Sequence, residues 1–434
     1  MNGKIENNLI GTSSRVETPF IKVTLAGVSL GVYTQSDLVA KQMSNSPAYT
    51  ENYVSIQYPN FCKSLTITRN ASGGVNTYKL NLTYAVRPDD DPNLIEKLLS
   101  KTKSQGRKIY FSYGDISAPN FIYKEEEALI LTAKPTMSAT SHVINYSITA
   151  VSTVFSQSAT KRSFPYHKNA KPSTLIKQLL FNTEMGLDKL FYGMSTLEKV
   201  ERLGLIDSDD VAVEIEAKKD ISPLNYLIYL VSCMRWVNDS KRDAVKTSIY
   251  KIAIFDDIRT EIGGPYFKVR RYNSAEEVQD TDDLTYINVD IGYAQNSSVI
   301  DFKVNEVDAF SILYDYKDDI SKNQYVYQID EQGKIVSSKM PSPLKNGELE
   351  KLTESQLTWW TQVTQFPITA TLTIRGLLRN ALLMTKLKVN VLFYGKKHIY
   401  SGIYIINGQT DEISGSGYRT TLSLIRVGGV NYNG

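Results

Sequence analysis

Along most of this chain apolar and polar residues change places at every position, and that period of two most constrains its fold. Asn76–Val86 (NTYKLNLTYAV) puts Tyr78, Leu80, Leu82 and Tyr84 on one face. A helix would scatter those four residues, whereas a strand with one buried face gathers them. Phe20–Tyr33, Phe61–Thr68, Lys108–Tyr113, Ala128–Lys134 and His142–Val151 alternate in the same way. Asn70-Ala71-Ser72-Gly73-Gly74 separates two such runs, which predicts a β-hairpin. Residues 20–155 therefore read as a β domain behind a polar arm at 1–19.

That domain contains one helical signal. Asp89-Asp90-Asp91-Pro92 is acidic enough for a calcium loop, but no EF-hand spacing or glutamate follows. Capping is simpler, with Asp91 as cap, Pro92 at the first helical position and Leu94, Ile95, Leu98 and Leu99 as an apolar stripe. Gly114-Asp115 reads as a turn.

The pattern changes in the middle. Lys171-Pro172-Ser173 and Ser222-Pro223 each open an amphipathic helix, the second carrying Leu224, Leu227, Ile228, Leu230, Val231 and Met234. Strands at Ser248–Phe255 and Tyr266–Arg271 follow, so residues 156–285 read as an α+β insertion. Alternation then resumes at Tyr286–Ile291, Val299–Val304, Ala309–Tyr316, Ile368–Arg375, Leu387–Phe393, Tyr400–Asn407 and Tyr418–Val427. Residues 318–358 are polar and contain Gly333, Pro341, Pro343 and Gly347, which reads as a long exposed loop within a second β domain, 286–434. The fold class is thus mostly β, with two β-barrel or sandwich domains flanking a mixed middle. The halves echo each other. Ser64–Arg69 (SLTITR) resembles Thr371–Arg375 (TLTIR), and each half ends in two alternating strands.

Chemistry is sparse. No G-x-S-x-G elbow, H-E-x-x-H pair or phosphate loop occurs. Cys62 and Cys233 lack CxxC partners and sit in apolar patterns, as core thiols do. His142, His167 and His398 lie too far apart in sequence for a zinc motif. The acidic groups Asp207-Asp209-Asp210, Asp256-Asp257, Asp282-Asp283 and Glu125-Glu126-Glu127 read as solvated turns or strand edges. A glycosidase-type pair among them is the enzymatic alternative. No catalytic, cofactor or metal site is assigned. Lys+Arg 49 against Asp+Glu 46 leaves a net charge of +3, which excludes a dedicated nucleic-acid binder. No apolar run is long enough to span a bilayer, and the polar N-terminus has no signal-peptide core, so a soluble chain made in the cytoplasm is expected.

Tyrosine is in excess, with 28 residues against 14 Phe and 3 Trp, and it suits half-wet β surfaces and interfaces. The interaction candidates are Trp359, Trp360, Tyr404, Tyr418, Arg375, Lys396 and Lys397. The paired tryptophans would also serve a glycan-stacking module.

Gly395–Asn407 (GKKHIYSGIYIIN), followed by Ile413–Arg426 (ISGSGYRTTLSLIR), resembles the closing hairpin of tail hub proteins from bacteriophage tails and related contractile injection systems. Ser222–Leu227 (SPLNYL), Ala253–Asp256 (AIFD) and Val289–Val304 resemble upstream elements of that family in the same order. The resemblance implies a homotrimer in which each chain carries two tube-like β domains. Six such domains would form a pseudo-sixfold ring joining a sixfold tail tube to a threefold central spike. Implied partners are the tube or distal tail protein, the spike or tail lysin, the tape measure and other baseplate proteins. Viral DNA would pass through the lumen without sequence-specific binding. The implied location is the virion tail, assembled in the host cytoplasm, and any wall-degrading activity would belong to a partner chain.

Overall fold

The computed structural model describes residues 19–32, 61–71, 75–115, 126–138, 140–153, 160–187, 210–235, 249–255, 266–272, 286–291, 299–306, 328–329, 335–336, 368–376, 383–414 and 417–429. The strands are β1 (Pro19–Leu25), β2 (Val28–Val32), β3 (Cys62–Asn70) and β4 (Thr77–Ala85). Helix α1 (Leu94–Ser104), β5 (Lys108–Asp115), β6 (Glu126–Met137) and β7 (Val143–Ser152) complete the front half. The middle holds β8 (Arg162–Phe164), β9 (His167–Ala170), α2 (Pro172–Phe181), β10 (Val213–Ile215), β11 (Lys218–Ile221), α3 (Pro223–Ser232), β12 (Ile249–Phe255) and β13 (Tyr266–Tyr272). The back half holds β14 (Tyr286–Ile291), β15 (Val299–Glu306), β16 (Gln328–Ile329), β17 (Ile335–Val336), β18 (Ile368–Arg375), β19 (Lys386–Phe393), β20 (Lys396–Lys397), β21 (Gly402–Ser414) and β22 (Gly417–Gly429).

The chain is mostly β, as its alternation predicts. Front and back strands join one sheet in the order β15-β18-β22-β21-β3-β4-β7-β6-β5-β1-β2, with β14 and β20 attached through β19. Taken in chain order, the front strands β1, β3, β4, β5, β6 and β7 match the back strands β14, β15, β18, β19, β21 and β22. Each set then has the spatial order second, third, sixth, fifth, fourth, first. The match extends to irregularities. The second strands skip one residue at the same point, between Cys62 and Ser64 and between Val299 and Asp301. The fifth strands skip between Ile130 and Thr132 and between Ile406 and Gly408. Just before those bulges, the Ile130 N–H donates to the Arg107 carbonyl at 2.9 Å and the Ile406 N–H to the Thr385 carbonyl at 3.1 Å. A bulge re-aims a strand, so bulges at matching places give the two sets matching bends. One difference is direction: β1 runs antiparallel to β5, but β14 runs parallel to β19.

These equivalences correct the sequence echo. Ser64–Arg69 lies in a second strand and Thr371–Arg375 in a third. The positional counterpart of Ser64–Arg69 is Asp301–Glu306. The terminal pairs β6–β7 and β21–β22 are counterparts, as expected. The described part of the predicted strand Phe20–Tyr33 is two paired strands, β1 and β2, because Ala26 and Gly27 both adopt positive φ and reverse the chain. Gly114-Asp115 continues β5 against Pro19 and Phe20 rather than turning. Helix α1 begins two residues later than predicted. Asp91 still accepts the Asn93 N–H at 3.0 Å, and its ion pair with Lys97 holds its carboxyl below the usual range. Residues 1–18, most of 318–358 and the predicted strand 309–316 lie outside the described residues, although the short pair β16–β17 falls within the predicted loop.

Each half buries its own apolar set. The front core includes Leu65, Ile67, Leu80, Phe111 and Ile148, all 0% exposed, and α1 closes one side with Ile95 and Leu98. The back core includes Leu372, Val389, Ile403 and Leu422. A third core in the middle packs α2 against α3, where the Phe164 and Tyr226 rings stack 3.7 Å apart. Both helices follow a short strand and open on proline, and β8 pairs β11 while β9 pairs β10. Cys62 and Cys233 are core thiols, and burial pushes Cys62 up to about 12. Asp210, read as a solvated acid, is instead buried and accepts from the Ser173 N–H at 2.8 Å and hydroxyl at 2.6 Å, capping α2.

Leu80 and Leu372 occupy equivalent, fully buried positions in the two cores. Truncating either to alanine should cost about 2–5 kcal/mol, read by urea unfolding. Tyr146 and Tyr229 are held protonated beyond the ordinary tyrosine range, chiefly by burial. The unfolded chain loses those protons near pH 10, so it binds fewer than the native state and stability should fall as pH rises above about 10. Absorbance titration should show these two phenols ionising only as the chain unfolds.

Candidate assembly junction and channel face

Strand β21 holds the halves together because it is longer than its first partner. Its pairing with β19 covers Gly402–Ile405. Beyond the bulge, Gly408–Ser414 pairs with Asn70–Ser64 of β3. Gly408 sits where three strands converge, and a Cβ there would be in van der Waals contact with Ser423 and the Arg69 carbonyl, at 3.4 and 3.5 Å. The tip of the β21–β22 hairpin carries Ile413 and Tyr418 into the front core.

Under this seam lies a buried polar cluster. The Arg69 guanidinium donates to Asp411 at 2.8 Å, to Glu126 at 3.2 Å and to the Tyr113 hydroxyl at 2.7 Å. Tyr78 and Tyr113 hydroxyls donate to Glu126, the second at 3.0 Å. Asp411 also accepts from Gln409 at 3.0 Å and Thr420 at 2.8 Å. Arg69 and Glu126 are 2% exposed and Asp411 is 0% exposed, so water screens none of them. Two carboxylates share one guanidinium, and neutral donors satisfy their remaining lone pairs. The solvated reading of Glu126 is therefore corrected. A signal was present: Arg69, Glu126 and Asp411 each occupy the inward phase of an alternating strand, beside Ile67, Ala128 and Ile413.

The opposite face of the same strands is polar and crosses the seam without a break. One row of cross-strand neighbours reads Asp301, Thr373, Thr421, Thr410, Thr68, Thr77. The next reads Arg375, Arg419, Glu412, Thr66, Lys79. Hydroxyls and amides link neighbours across it, as in the Thr373–Thr421 contact at 3.3 Å and the Asn81–Ser64 bond at 2.9 Å. The charges are mixed in sign.

The interaction candidates do not form one site. Trp359 and Trp360 lie outside the described residues. Tyr404 is 0% exposed, donates to the Tyr400 carbonyl at 2.7 Å and meets the edge of Phe302. Tyr418 is buried in the front core. Arg375 is exposed on the polar face. Lys396 and Lys397 are exposed on a small hairpin that turns at Tyr394-Gly395, both with positive φ. Among the described residues no group of His, Cys, Asp and Glu has metal-site spacing.

No family model matches the chain, and no curated protein matches it. Among solved structures it is similar to the tail protein from Neisseria meningitidis MC58, at TM-score 0.47 and 10% identity, covering 94% of this chain and 96% of that one. It is similar to the 43 kDa tail protein of prophage MuSo2 from Shewanella oneidensis, at TM-score 0.46 and 10% identity, covering 94% and 98%. It is also similar to the E. coli c3393 protein, described as a component of the type VI secretion system, at TM-score 0.42 and 9% identity, covering 86% and 77%.

Arg69→Leu leaves two buried carboxylates without their cation and should destabilise the chain by about 3–5 kcal/mol. The triple change Arg69→Leu, Glu126→Leu, Asp411→Leu should recover much of that loss, which a comparison of urea midpoints measures.

Proposed function

We propose that the chain is the structural hub of a phage-type tail or baseplate, a homotrimer whose paired β units form a pseudo-sixfold ring around a channel. One observation carries this reading. A single chain holds two six-strand sets of the same order with bulges at two matching places, and the two sets are joined edge to edge in one sheet. Three such chains present six near-equivalent units, which lets a threefold assembly meet a sixfold tube above and a threefold spike below. The hub resemblance of residues 395–426 supports the same assignment. Residues 20–155 and 286–434 are the two tube-like units, and 156–285 decorates them.

The face rich in threonine and mixed charge lines the channel. Hydroxyls and charges of both signs produce a weak net field, so DNA passes without being held. The buried face and the polar cluster keep each unit rigid. Tube or distal tail protein, spike or lysin, tape measure and other baseplate proteins are the partners. The role needs interfaces and no catalytic group.

Light scattering on the purified chain should give three times its 48.8 kDa mass, and particles viewed down the axis should show six inner lobes. A chain that stays monomeric at every concentration overturns the proposal.

A further inference from the structure

The seam inside the chain has an unfilled counterpart. Within the chain, the outer half of one fifth strand, β21, takes up the second strand of the other set, β3. The other fifth strand, β6, overhangs in the same way. Its pairing with β5 covers Glu126–Leu129, and beyond the bulge Thr132–Met137 pairs, among the described residues, with β7 alone. Among the described residues the other second strand, β15, pairs with β18 alone and ends the sheet. We propose that β15 of a second copy of this chain docks beside the outer half of β6, repeating the β3–β21 seam between chains.

The equivalences set the register. Opposite Gln409, Asp411, Glu412 and Ile413, β3 places Arg69, Ile67, Thr66 and Leu65. The corresponding pairs between copies are Ala133–Glu306, Pro135–Val304, Thr136–Lys303 and Met137–Phe302. Exposure fits an uncovered version of the same seam. Leu65, Ile67 and Ile413 are 0% exposed, whereas Phe302 and Val304 are only partly buried and Met137 is 65% exposed. A cavity of about 350 Å³ lies beside this edge, lined by Leu99, Ile130, Leu131, Ala133 and Pro135 among others. Val304 of the incoming copy, opposite Pro135, would enter it. Pro135 has no N–H to donate, so side-chain packing contributes more at this seam than along an ordinary ladder. The contact is head-to-tail, since a chain offers β6 to one neighbour and β15 to another. Repetition with the bend of the internal seam closes a ring.

This inference rests on the ring reading, and the test separates them. Facing residues in an antiparallel pair lie about 4.5–5.5 Å apart at Cα, within disulfide reach. Thr136 and Lys303 are both exposed, and the native cysteines are buried. In the full-length chain carrying Thr136→Cys and Lys303→Cys, mild oxidation should give covalent species up to the native oligomer, reversed by reductant. Each single variant should stay uncrosslinked, and Thr136→Cys with Asn305→Cys, out of register, should crosslink far less. Met137→Asp should dissociate the oligomer while the far-UV circular dichroism of the folded chain is kept. An oligomer of the right mass without crosslinks, or crosslinking that halts at dimers, overturns the docking and leaves the ring intact. A monomer overturns both.

Discussion

The architecture depends on one strand serving two partners. Because β21 outlasts β19, its outer half must find another neighbour, and β3 fills that place. The ladder alone would hold the halves loosely, since any edge offers the same row of donors and acceptors. The Arg69 cluster makes the join specific. Its guanidinium reaches a carboxylate from each half, Glu126 and Asp411, in a region closed to water. A slip of one residue would turn Arg69 outward and strand two buried charges, so register and polar satisfaction enforce each other.

The shared strand order of the two sets gives such a join its geometry. The two sets share strand order and two bulge positions while the aligned residues differ in chemistry. Arg69 corresponds to Glu306, Gln409 to Ala133 and Asp411 to Pro135. Backbone geometry is thus common to both sets, and side chains differ where the two fifth strands meet different neighbours. The internal seam forms once, during folding, so the desolvation of Arg69, Glu126 and Asp411 is compensated within a cooperative transition. At the proposed seam between copies, exposed to water before assembly, an apolar contact such as Met137 with Phe302 would suit better.

Much of this was legible in the sequence because a half-buried strand writes its burial every second residue. Tyr78, Leu80, Leu82 and Tyr84 were placed on one face and are buried together. Proline before an apolar stripe marks where α2 and α3 begin, although α3 stops at Ser232, before the Met234 that its stripe includes. The misses have local causes. The reversal at Ala26-Gly27 sits inside an unbroken alternating run, with no turn cluster to mark it. The SLTITR and TLTIR segments look alike because similar environments select similar residues, although their places in the sheet differ. Glu126 reads as solvated beside its acidic neighbours, although its phase relative to Ala128 and Ile130 places it inward. Asp210 has no such phase, because its partner Ser173 belongs to a distant helix.

The same chemistry bears on how an open edge avoids indiscriminate pairing before it is covered. Pro135 withholds a donor, Lys134 places a charge beside it, and β15 presents Lys303 paired to Asp301 at 2.9 Å. A generic strand docking on β6 would lose a ladder bond at Pro135 and gain nothing from the neighbouring cavity. A strand with apolar residues at the Phe302 and Val304 positions recovers that loss by filling it. The edge therefore discriminates by side chain.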